Sequence, residues 1–320
     1  MVDKILFTAD WHLKLGQRNV PVSWARNRFR LFVEQIRQLE NDVDLHIIGG
    51  DLFDRIPSMV ELELYFEFIS GVKIPTLIYD GNHEATRKGK TFFTQLKSAT
   101  TELNPLVEII DYIYKGEHFG ILPYCELHRK WHIKQFNIRQ PLFTHVRGAI
   151  PPHVSPEVDL KRFAHFPIVF AGDLHSHSNT QLNIVYPGSP MATQFHRTKI
   201  ETGYLLIDTS QWNWKWHTFK LPQLVRKTIT DPKEMVPTSY DHTIYEIEGN
   251  VTDLAGVENT ELLDKKIVRR KTEAALILTN EMSIEDELVE YLSYILELKD
   301  EQVKEILGVY HDYSRDIAMG

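Results

Sequence analysis

The sequence has a single cysteine, no long apolar run and no excess of positive charge, and each shortage excludes a class of protein. Cys125 cannot form an internal disulfide, so the fold does not depend on an oxidising compartment. No apolar run approaches the roughly 20 residues that span a bilayer. The apolar core near the N-terminus, Ile5–Phe7, is too short for a signal peptide. We therefore expect a cytoplasmic protein with no membrane partner.

Charge narrows the choice of partners. The 320 residues include 36 Lys and Arg against 44 Asp and Glu, which gives a net charge of −8 with histidine neutral. A protein that holds nucleic acid by positive charge alone needs the opposite balance. Binding to phosphates would therefore need a local basic surface or bound cations. Otherwise the composition, 42% hydrophobic and 25% charged, indicates a globular chain rather than a disordered one.

The first half of the chain alternates short apolar runs with amphipathic segments. Strands are predicted at Lys4–Ala9, Val43–Gly49 and Ile74–Tyr79. Helices are predicted between them, at Val22–Glu40 and Met59–Ser70. This alternation is typical of an α/β fold with at least one mostly parallel sheet. Later segments are mainly strands, predicted at Gly120–Pro123, Pro141–His145, Phe166–Ala171, Asn183–Tyr186 and Tyr204–Asp208.

The composition changes after about Leu221, where turn signals surround a predicted strand at Thr243–Glu248. A basic cluster follows, made of Lys265, Lys266, Arg269, Arg270 and Lys271. The pattern from Ile284 to Asp312 is helical, with a break predicted at Leu298–Asp300. We therefore predict three parts, residues 1–221, 222–275 and 276–320.

Five short segments place side chains that bind metals directly after predicted strands. They are Asp10-Trp11-His12, Gly50-Asp51-Leu52-Phe53-Asp54, Gly81-Asn82-His83-Glu84, Thr144-His145 and Gly172-Asp173-Leu174-His175-Ser176-His177. The carboxyl ends of strands meet at one edge of an α/β sheet, so these side chains can converge. Mixed oxygen and nitrogen donors suit Mn²⁺, Fe or Zn better than Ca²⁺. The alternative for any single segment is a turn or a helix cap.

The ordered series resembles the calcineurin-like metallophosphoesterase superfamily, whose pattern is D-x-H, G-D-x-x-D, G-N-H-[DE], H and G-x-x-H. Within it, the chain is similar to the SbcD-type DNA double-strand-break repair nucleases and their phage relatives. Pro57-Ser58 and Tyr186-Pro187-Gly188-Ser189-Pro190 favour that branch. The resemblance covers about residues 1–210 by motif. It implies a four-layer α/β/β/α sandwich followed by a small α+β capping domain and a C-terminal helical tail.

The resemblance also implies a role for individual residues. One cation would be held by Asp10, His12, Asp51 and His175. Asp51 would bridge to a second cation, completed by Asn82, His145 and Asp173. His83 would face the scissile phosphate and assist the leaving oxygen, and Glu84 would orient His83. The implied cofactors are two divalent metal ions, with Mn²⁺ expected first and Mg²⁺ as the alternative.

Two departures from the family pattern leave alternatives open. Asp173 stands where a histidine is usual, and His177 offers another register for the same segment. Gly81-Asn82-His83-Glu84 is also the form found in serine/threonine phosphoprotein phosphatases. Those enzymes carry Gly after D-x-H and Arg-Gly after the second segment, where this chain has Leu13 and Arg55-Ile56. The nuclease branch is therefore favoured.

The resemblance implies a DNA exonuclease and endonuclease, the catalytic subunit of an SbcCD-like repair and recombination complex. Its implied partners are double-stranded DNA ends, with single-stranded DNA as an alternative, a second copy of the chain, and an SMC-like coiled-coil ATPase. The helical tail would bind that ATPase, and the basic cluster at 265–271 is a candidate DNA contact. A chain encoded by a phage would act in the host cytoplasm. The alternatives are a phosphomonoesterase or phosphoprotein phosphatase and a metal-stabilised scaffold.

Overall fold

The strands and helices predicted for the first half of the chain are present in the predicted order, with further elements between and after them. The structure, a computed structural model, describes residues 2–87, 89–129, 133–268 and 282–318. Its strands are β1 (Lys4–Thr8), β2 (Leu45–Gly49), β3 (Thr76–Tyr79), β4 (Ala85–Arg87), β5 (Lys90–Thr91), β6 (Val107–Ile110), β7 (Tyr114–Lys115), β8 (Gly120–Leu122), β9 (Leu142–His145), β10 (Val169–Gly172), β11 (Ile184–Val185), β12 (Gly203–Asp208), β13 (Asn213–Thr218), β14 (Leu224–Ile229), β15 (His242–Gly249) and β16 (Leu263–Val268). Its α-helices are α1 (Val22–Leu39), α2 (Met59–Ser70), α3 (Phe93–Leu103), α4 (Tyr124–Leu127), α5 (Val251–Ala255), α6 (Ile284–Glu290) and α7 (Asp300–Ala318).

The larger sheet has the strand order β13-β12-β1-β2-β3-β6. Strands β1, β2, β3 and β6 are parallel, as the alternation of strands and helices predicts. Strand β12 pairs antiparallel with β1, and β13 pairs antiparallel with β12. Strand β1 is therefore an interior strand, and the loop that follows it begins near the middle of the row of strand ends.

Alternate side chains of β1 enter two different cores. Ile5 and Phe7 pack with Phe143 and Phe170 of the second sheet. Leu6 lies on the opposite face, in the cluster formed with helices α1, α2 and α3. Full burial of one such side chain contributes about 1.5–3 kcal/mol, so a shift of register by one residue would be costly. The two cores thus fix the register of the strand that leads to Asp10.

The second sheet has the order β11-β10-β9-β8-β7, and all its pairs are parallel except β7 with β8. Its outer face is covered by short elements: Leu127 of α4 and the 3₁₀ turn Leu160–Phe163 pack there. The layers are therefore helices, sheet, sheet and short helical turns. This confirms the predicted α/β/β/α sandwich, with a thin fourth layer.

The Pro57-Ser58 segment that follows the second motif begins helix α2. Ser58 and Glu61 form a capping box, in which the side chain of each residue accepts a hydrogen bond from the main-chain N–H of the other. Glu61 is buried and also accepts the N–H of Leu15 at 2.8 Å. An N-cap of this kind is worth about 1 kcal/mol, and here it also ties α2 to the loop after β1.

The chain divides into two compact units. One comprises Met1–Leu224 with Tyr240–His242, and the other comprises Val225–Ser239 with Thr243–Gly320. The second unit contains the sheet β14-β15-β16, whose core includes Tyr245 and Leu254, and helices α5, α6 and α7. No described helix is both long and apolar enough to cross a bilayer.

The basic cluster is described only in part, because Arg269, Arg270 and Lys271 lie outside the described residues. Lys265 Nζ lies 2.9 Å from a carboxylate oxygen of Glu246. Lys266 Nζ donates to the Val257 carbonyl at 2.6 Å. Both described lysines therefore have partners within the second unit, which weakens their claim as DNA contacts.

Candidate metal centre

Strand ends from both sheets converge on one group of side chains. Three sets of side chains have potential ligand atoms within 4.8 Å of one another: Asp10 with His12 and His175, Asp10 with Asp51 and His145, and His12 with Asp51 and His83. Members of the first and second sets come from both sheets. The convergence that the sequence predicted is thus present in the fold.

The loops that carry these side chains have strained backbones. Asp10, His12, Asp51 and Asp173 have φ of 57°, 46°, 49° and 104°, in the left-handed region that favours glycine. Such positions cost of order 1–3 kcal/mol each and concentrate at functional sites. Main-chain hydrogen bonds hold the strain in place: Asp10 N–H donates to the Gly50 carbonyl at 3.0 Å, and His12 N–H donates to the Asp51 carbonyl at 2.9 Å.

Two glycines of the motifs allow the segments to approach closely. A Cβ at Gly81 would lie 2.2 Å from Asp51 Oδ1. A Cβ at Gly172 would lie 2.4 Å from the Gly49 carbonyl oxygen and 2.6 Å from His145 Nδ1. A larger residue at either position would force the loops apart, so the glycines are required for the side chains to meet.

Asp51 occupies the middle of the group. Its Oδ2 lies 3.5 Å from His145 Nε2 and 3.7 Å from His12 Nε2, and its Oδ1 accepts the main-chain N–H of His83 at 2.9 Å. Burial acts to raise the pKa of Asp51, but His145, His12 and His83 hold it well below its usual range. The carboxylate is therefore ionised, and imidazoles carried by both sheets lie within 4 Å of it, as a ligand shared by two cations requires.

In the first half of the group, two imidazole nitrogens point at each other. His12 Nε2 and His175 Nε2 are 2.9 Å apart, so without a cation the N–H of one ring must lie at Nε2 and donate to the other. Asp10 Oδ2 is buried, and no hydrogen-bond partner for it lies among the described residues. Burial lowers the pKa of His12 to about 3, which keeps its ring neutral. A buried carboxylate oxygen beside two neutral imidazoles fits a divalent cation.

The second half is organised around His145. Its Nδ1 donates to the Gly49 carbonyl at 3.0 Å, which turns Nε2 toward Asn82. One end of the Asn82 amide lies 2.9 Å from His145 Nε2 and 3.2 Å from both Asp51 Oδ2 and Asp173 Oδ1. With its NH₂ at this end, the amide can donate to the two carboxylate oxygens; after a half-turn its oxygen occupies the same space and can accept from a protonated His145 Nε2. The set therefore also fits a cation.

The electrostatics of His145 show how negative this space is. Burial alone would lower the pKa of His145, but the Asp51 carboxylate, followed by Asp10 and Asp173, raises it well above the usual value. Burial also raises the pKa of the Asp10 carboxyl group well above its usual value. The ring thus holds a proton where positive charge is required, and a cation would replace that proton.

The structure corrects the expected role of Glu84. We expected this residue to orient His83, but its buried carboxylate accepts the main-chain N–H groups of Asp51, Phe53 and Gly81 at 2.9, 2.9 and 2.8 Å. Burial, followed by the charge of Asp51, raises the pKa of Glu84 to about 8. Glu84 therefore fixes the loop around Asp51. Sequence spacing could not reveal this, because two of the three partners are more than thirty residues away.

His83 is oriented by a main-chain carbonyl instead. Its Nδ1 lies 2.5 Å from the Asp54 carbonyl, and an acceptor there requires Nδ1 to carry the proton. Its Nε2 then carries the free lone pair, and it lies 3.9 Å from Asp51 Oδ2. The side chain is 35% exposed, in contrast to the buried His145. His83 thus faces solvent beside the group, where a substrate could reach it.

The two registers of the last segment have different surroundings. Asp173 has a side chain that is 5% exposed, and its Oδ1 lies 3.9 Å from His145 Nε2. His177 Nδ1 instead contacts the Tyr186 carbonyl at 2.7 Å, and its ring stacks on Trp216 at 5.1 Å. The geometry favours Asp173 over His177 as the member of the group.

Ser189 has a structural role that was not predicted from the sequence. Its hydroxyl donates to the Asp10 carbonyl at 2.7 Å, and its N–H donates to the His175 carbonyl at 3.0 Å. It thereby joins the loops after β1 and β10. Ser189 belongs to the segment Tyr186-Pro187-Gly188-Ser189-Pro190, which favours the nuclease branch but did not by itself indicate these contacts.

An open cavity of about 840 Å³ leads to the group. Asp51, Asn82 and His83 form part of its wall. The serines of the last segment and Trp216 form another part. Its size suits a substrate larger than a single phosphate group.

Comparisons with known proteins agree with this geometry. The sequence profile of the calcineurin-like phosphoesterase family matches residues 3–154. A protein named probable exonuclease subunit 1, from Escherichia phage T5, is 38% identical over 98% of this chain and 99% of its own length. The protein named "Putative phosphoesterase 244L", from Invertebrate iridescent virus 6, is 30% identical over 64% of this chain and 75% of its own.

A solved structure, that of the protein TT1561 from Thermus thermophilus, is 12% identical with a TM-score of 0.44, and the match covers 68% of this chain and 99% of that one. The phage T5 relative aligns over nearly the whole length of both chains. Together with the family profile, that alignment confirms the resemblance drawn from the five segments. The chain belongs to the calcineurin-like phosphoesterase family.

Proposed function

We propose that this protein is a metal-dependent nuclease that hydrolyses phosphodiester bonds of DNA. The observation that carries the proposal is the position of Asp51, whose buried carboxylate lies between His12 and His145 beside the exposed His83. The nuclease activity, as opposed to another phosphoesterase activity, is supported by the 38% identity to the phage protein named probable exonuclease subunit 1.

Two divalent cations, Mn²⁺ first and Mg²⁺ as the alternative, would bind on either side of Asp51. The first would be held by Asp10, His12, Asp51 and His175, and the second by Asp51, Asn82, His145 and Asp173. Bound there, the cations would neutralise phosphate oxygens and activate water. The mixed donors do not select one metal, and Mn²⁺ is proposed because it accepts both imidazole and carboxylate.

The chain's own contribution to the reaction centres on His83. Because Nδ1 donates to the Asp54 carbonyl, Nε2 is the atom that can bind and release a proton at the cavity wall. When Nε2 is protonated, it can donate to the oxygen that leaves phosphorus. A positioned acid of this kind typically contributes about 10²–10⁴ in rate.

Two other functions predict different behaviour. A phosphomonoesterase would cleave small phosphate esters with the same residues. A metal-stabilised scaffold would bind cations without turnover, and it would have no need of the partly exposed His83 beside them. The open cavity favours the nuclease over the phosphomonoesterase, since a nucleic acid needs access along a surface.

One assay separates the three functions. Linear duplex DNA and para-nitrophenyl phosphate are each incubated with the protein and Mn²⁺, then with a chelator. We expect Mn²⁺-dependent release of nucleotides from DNA with little hydrolysis of the small ester. Hydrolysis of the small ester alone would indicate the phosphomonoesterase, and no hydrolysis with measurable Mn²⁺ binding would indicate the scaffold.

We extend the proposal to the protein's partners and to its location in the cell. The helical tail would bind an SMC-like coiled-coil ATPase, since Ile284, Tyr294 and Val309 expose apolar side chains on α6, the following turn and α7. A homodimer would use apolar residues that are exposed at the start of α2, such as Met59. Residues 222–275 would cap the DNA. The protein would act in the cytoplasm, of the host if a phage encodes it.

A further inference from the structure

Arg147 and Asp173 form a two-point ion pair at the edge of the candidate metal centre. Arg147 Nε donates to Asp173 Oδ2 and Nη2 donates to Oδ1, each at 3.2 Å. They meet because β9 and β10 are parallel neighbours with His145 opposite Gly172, so the chain continues from both strands side by side. The fork of a guanidinium fixes the plane of a carboxylate as well as its position.

The two members of the pair face different surroundings. The Asp173 side chain is 5% exposed, and its Oδ1 lies 3.2 Å from the Asn82 amide. The Arg147 side chain is 42% exposed and lines the open cavity. Arg147 therefore holds Asp173 from the cavity side while Asp173 faces His145.

Arg147 is itself held at its main chain. Its N–H donates to Glu157 Oε1 at 2.9 Å. The other oxygen of Glu157 accepts the Tyr124 hydroxyl at 3.0 Å and lies 3.2 Å from His128 Nε2. A guanidinium whose backbone is fixed in this way loses less freedom when it forms the fork, which makes it suited to orient a partner.

Charge explains why such a pair is needed here. The family pattern has a histidine at position 173, whereas this chain has a carboxylate beside Asp10 and Asp51. A third carboxylate adds repulsion in a buried space, and a nearby cationic side chain offsets it. We propose that Arg147 is a positioning residue that holds Asp173 as an oxygen ligand for the second cation. The inference rests on the proposed two-metal centre.

Mn²⁺ binding tests the inference without any assay of turnover. Calorimetric titration and the electron paramagnetic resonance signal of paired Mn²⁺ ions are measured for the unmodified protein, R147Q, D173H and the double variant. We expect R147Q to weaken binding at one of two sites by about 10–100-fold. In the D173H background, R147Q should change affinity by less than about threefold, because a neutral ligand needs no counter-charge.

Two further variants separate charge from general disruption. R147K keeps the charge without the fork, and we expect it to lose less affinity than R147Q. R30Q removes the exposed ion pair between Arg30 of α1 and Glu67 of α2, and it should leave Mn²⁺ binding unchanged. Thermal unfolding in chelator confirms that each variant is folded.

The outcomes that overturn the inference are distinct from failure of the metal centre. Unchanged Mn²⁺ affinity in R147Q would refute it, and so would an equal loss in both backgrounds, which indicates a general structural role. Absence of Mn²⁺ binding in the unmodified protein would refute the metal centre and the inference with it.

Discussion

Glu84 Oε2 accepts the main-chain N–H of Asp51 at 2.9 Å, so a fully buried carboxylate positions the residue at the middle of the candidate metal centre. The same carboxylate accepts from Phe53 and Gly81. It thus joins the loop after β2 to the loop after β3. The residue that follows the proposed acid His83 therefore acts on the metal site rather than on His83.

Replacing Glu84 with glutamine should destabilise the fold. Glutamine has a single acceptor oxygen, so at least one of three buried N–H groups loses its partner, at a cost of about 1–3 kcal/mol. The measurement is the free energy of unfolding in urea. E67Q is the matched control, because Glu67 forms an exposed ion pair with Arg30 that is worth about 0–1 kcal/mol. Equal stability of E84Q and E67Q would show that the Glu84 bonds are unimportant.

Replacing His83 with glutamine should separate turnover from metal binding. H83Q loses the Nε2 proton donor, so we expect DNA hydrolysis to fall by about 10²–10⁴. Its Mn²⁺ stoichiometry should stay the same, because the proposed ligands are elsewhere. H165Q provides the control, since His165 is exposed and is not part of the cavity wall. Undiminished hydrolysis by H83Q would remove His83 from the mechanism.

Metal binding should depend on pH in a defined direction. In the cation-free protein, the pKa of His145 is raised well above its usual value, so at neutral pH the ring holds a proton that a cation must displace. Mn²⁺ affinity should therefore rise with pH, by up to about tenfold per unit, until the pH passes that pKa. His12 contributes nothing to this slope, because its pKa is lowered to about 3.

The proton release can be counted by calorimetry in buffers with different ionisation enthalpies. At pH 7 we expect at least about one proton to leave per protein on saturation with Mn²⁺. H177Q should release the same number. If binding releases no proton, His145 is not displaced from its protonated form and does not serve as a ligand.

The helical tail offers a test of the partner. Val309 is 68% exposed on α7, so V309D should leave folding and Mn²⁺-dependent cleavage unchanged. If the tail binds the coiled-coil ATPase, the same change should abolish co-purification, because a buried unpaired charge is costly at an interface. V22D, which makes the same change at an exposed residue on α1, is the control. Co-purification of V309D at the unmodified level would exclude this face of α7.

Much of the fold of the first unit, Met1–Leu224 with Tyr240–His242, could be predicted from local sequence. Helix α2 spans Met59–Ser70 as predicted, and α1 and β1 each end one residue before the predicted limit. Their boundaries are set by apolar periodicity and by signals such as the Ser58 cap, which act over a few residues. The five segments that contain the candidate ligands were identified because each lies at the end of a predicted strand, and the family resemblance implied the individual ligands.

The elements that were missed have weak local patterns. Helix α3, Phe93–Leu103, was not predicted, and it buries only Phe93 and Thr100. Strand β6, Val107–Ile110, has four residues and lies at the sheet edge. In both cases the stabilising contacts come from other parts of the chain, so periodicity alone gives little signal.

The supporting contacts of the site could not be predicted either, because they join residues that are far apart in the sequence. The contacts of Glu84 with Asp51, of Arg147 with Asp173 and of Ser189 with Asp10 join residues that are 33, 26 and 179 positions apart. Spacing along the sequence does not encode which side chains of two strand ends will meet. These supporting contacts therefore required the fold, whereas the candidate ligands did not.

Anomalous scattering from Mn²⁺-soaked crystals will show whether two cations share Asp51. We expect two peaks about 3.5–4 Å apart, one on each side of the Asp51 carboxylate. The peak on the His145 side should lie within bonding distance of Asp173 and not of His177. A single peak, or peaks that avoid Asp51, would contradict the two-metal centre.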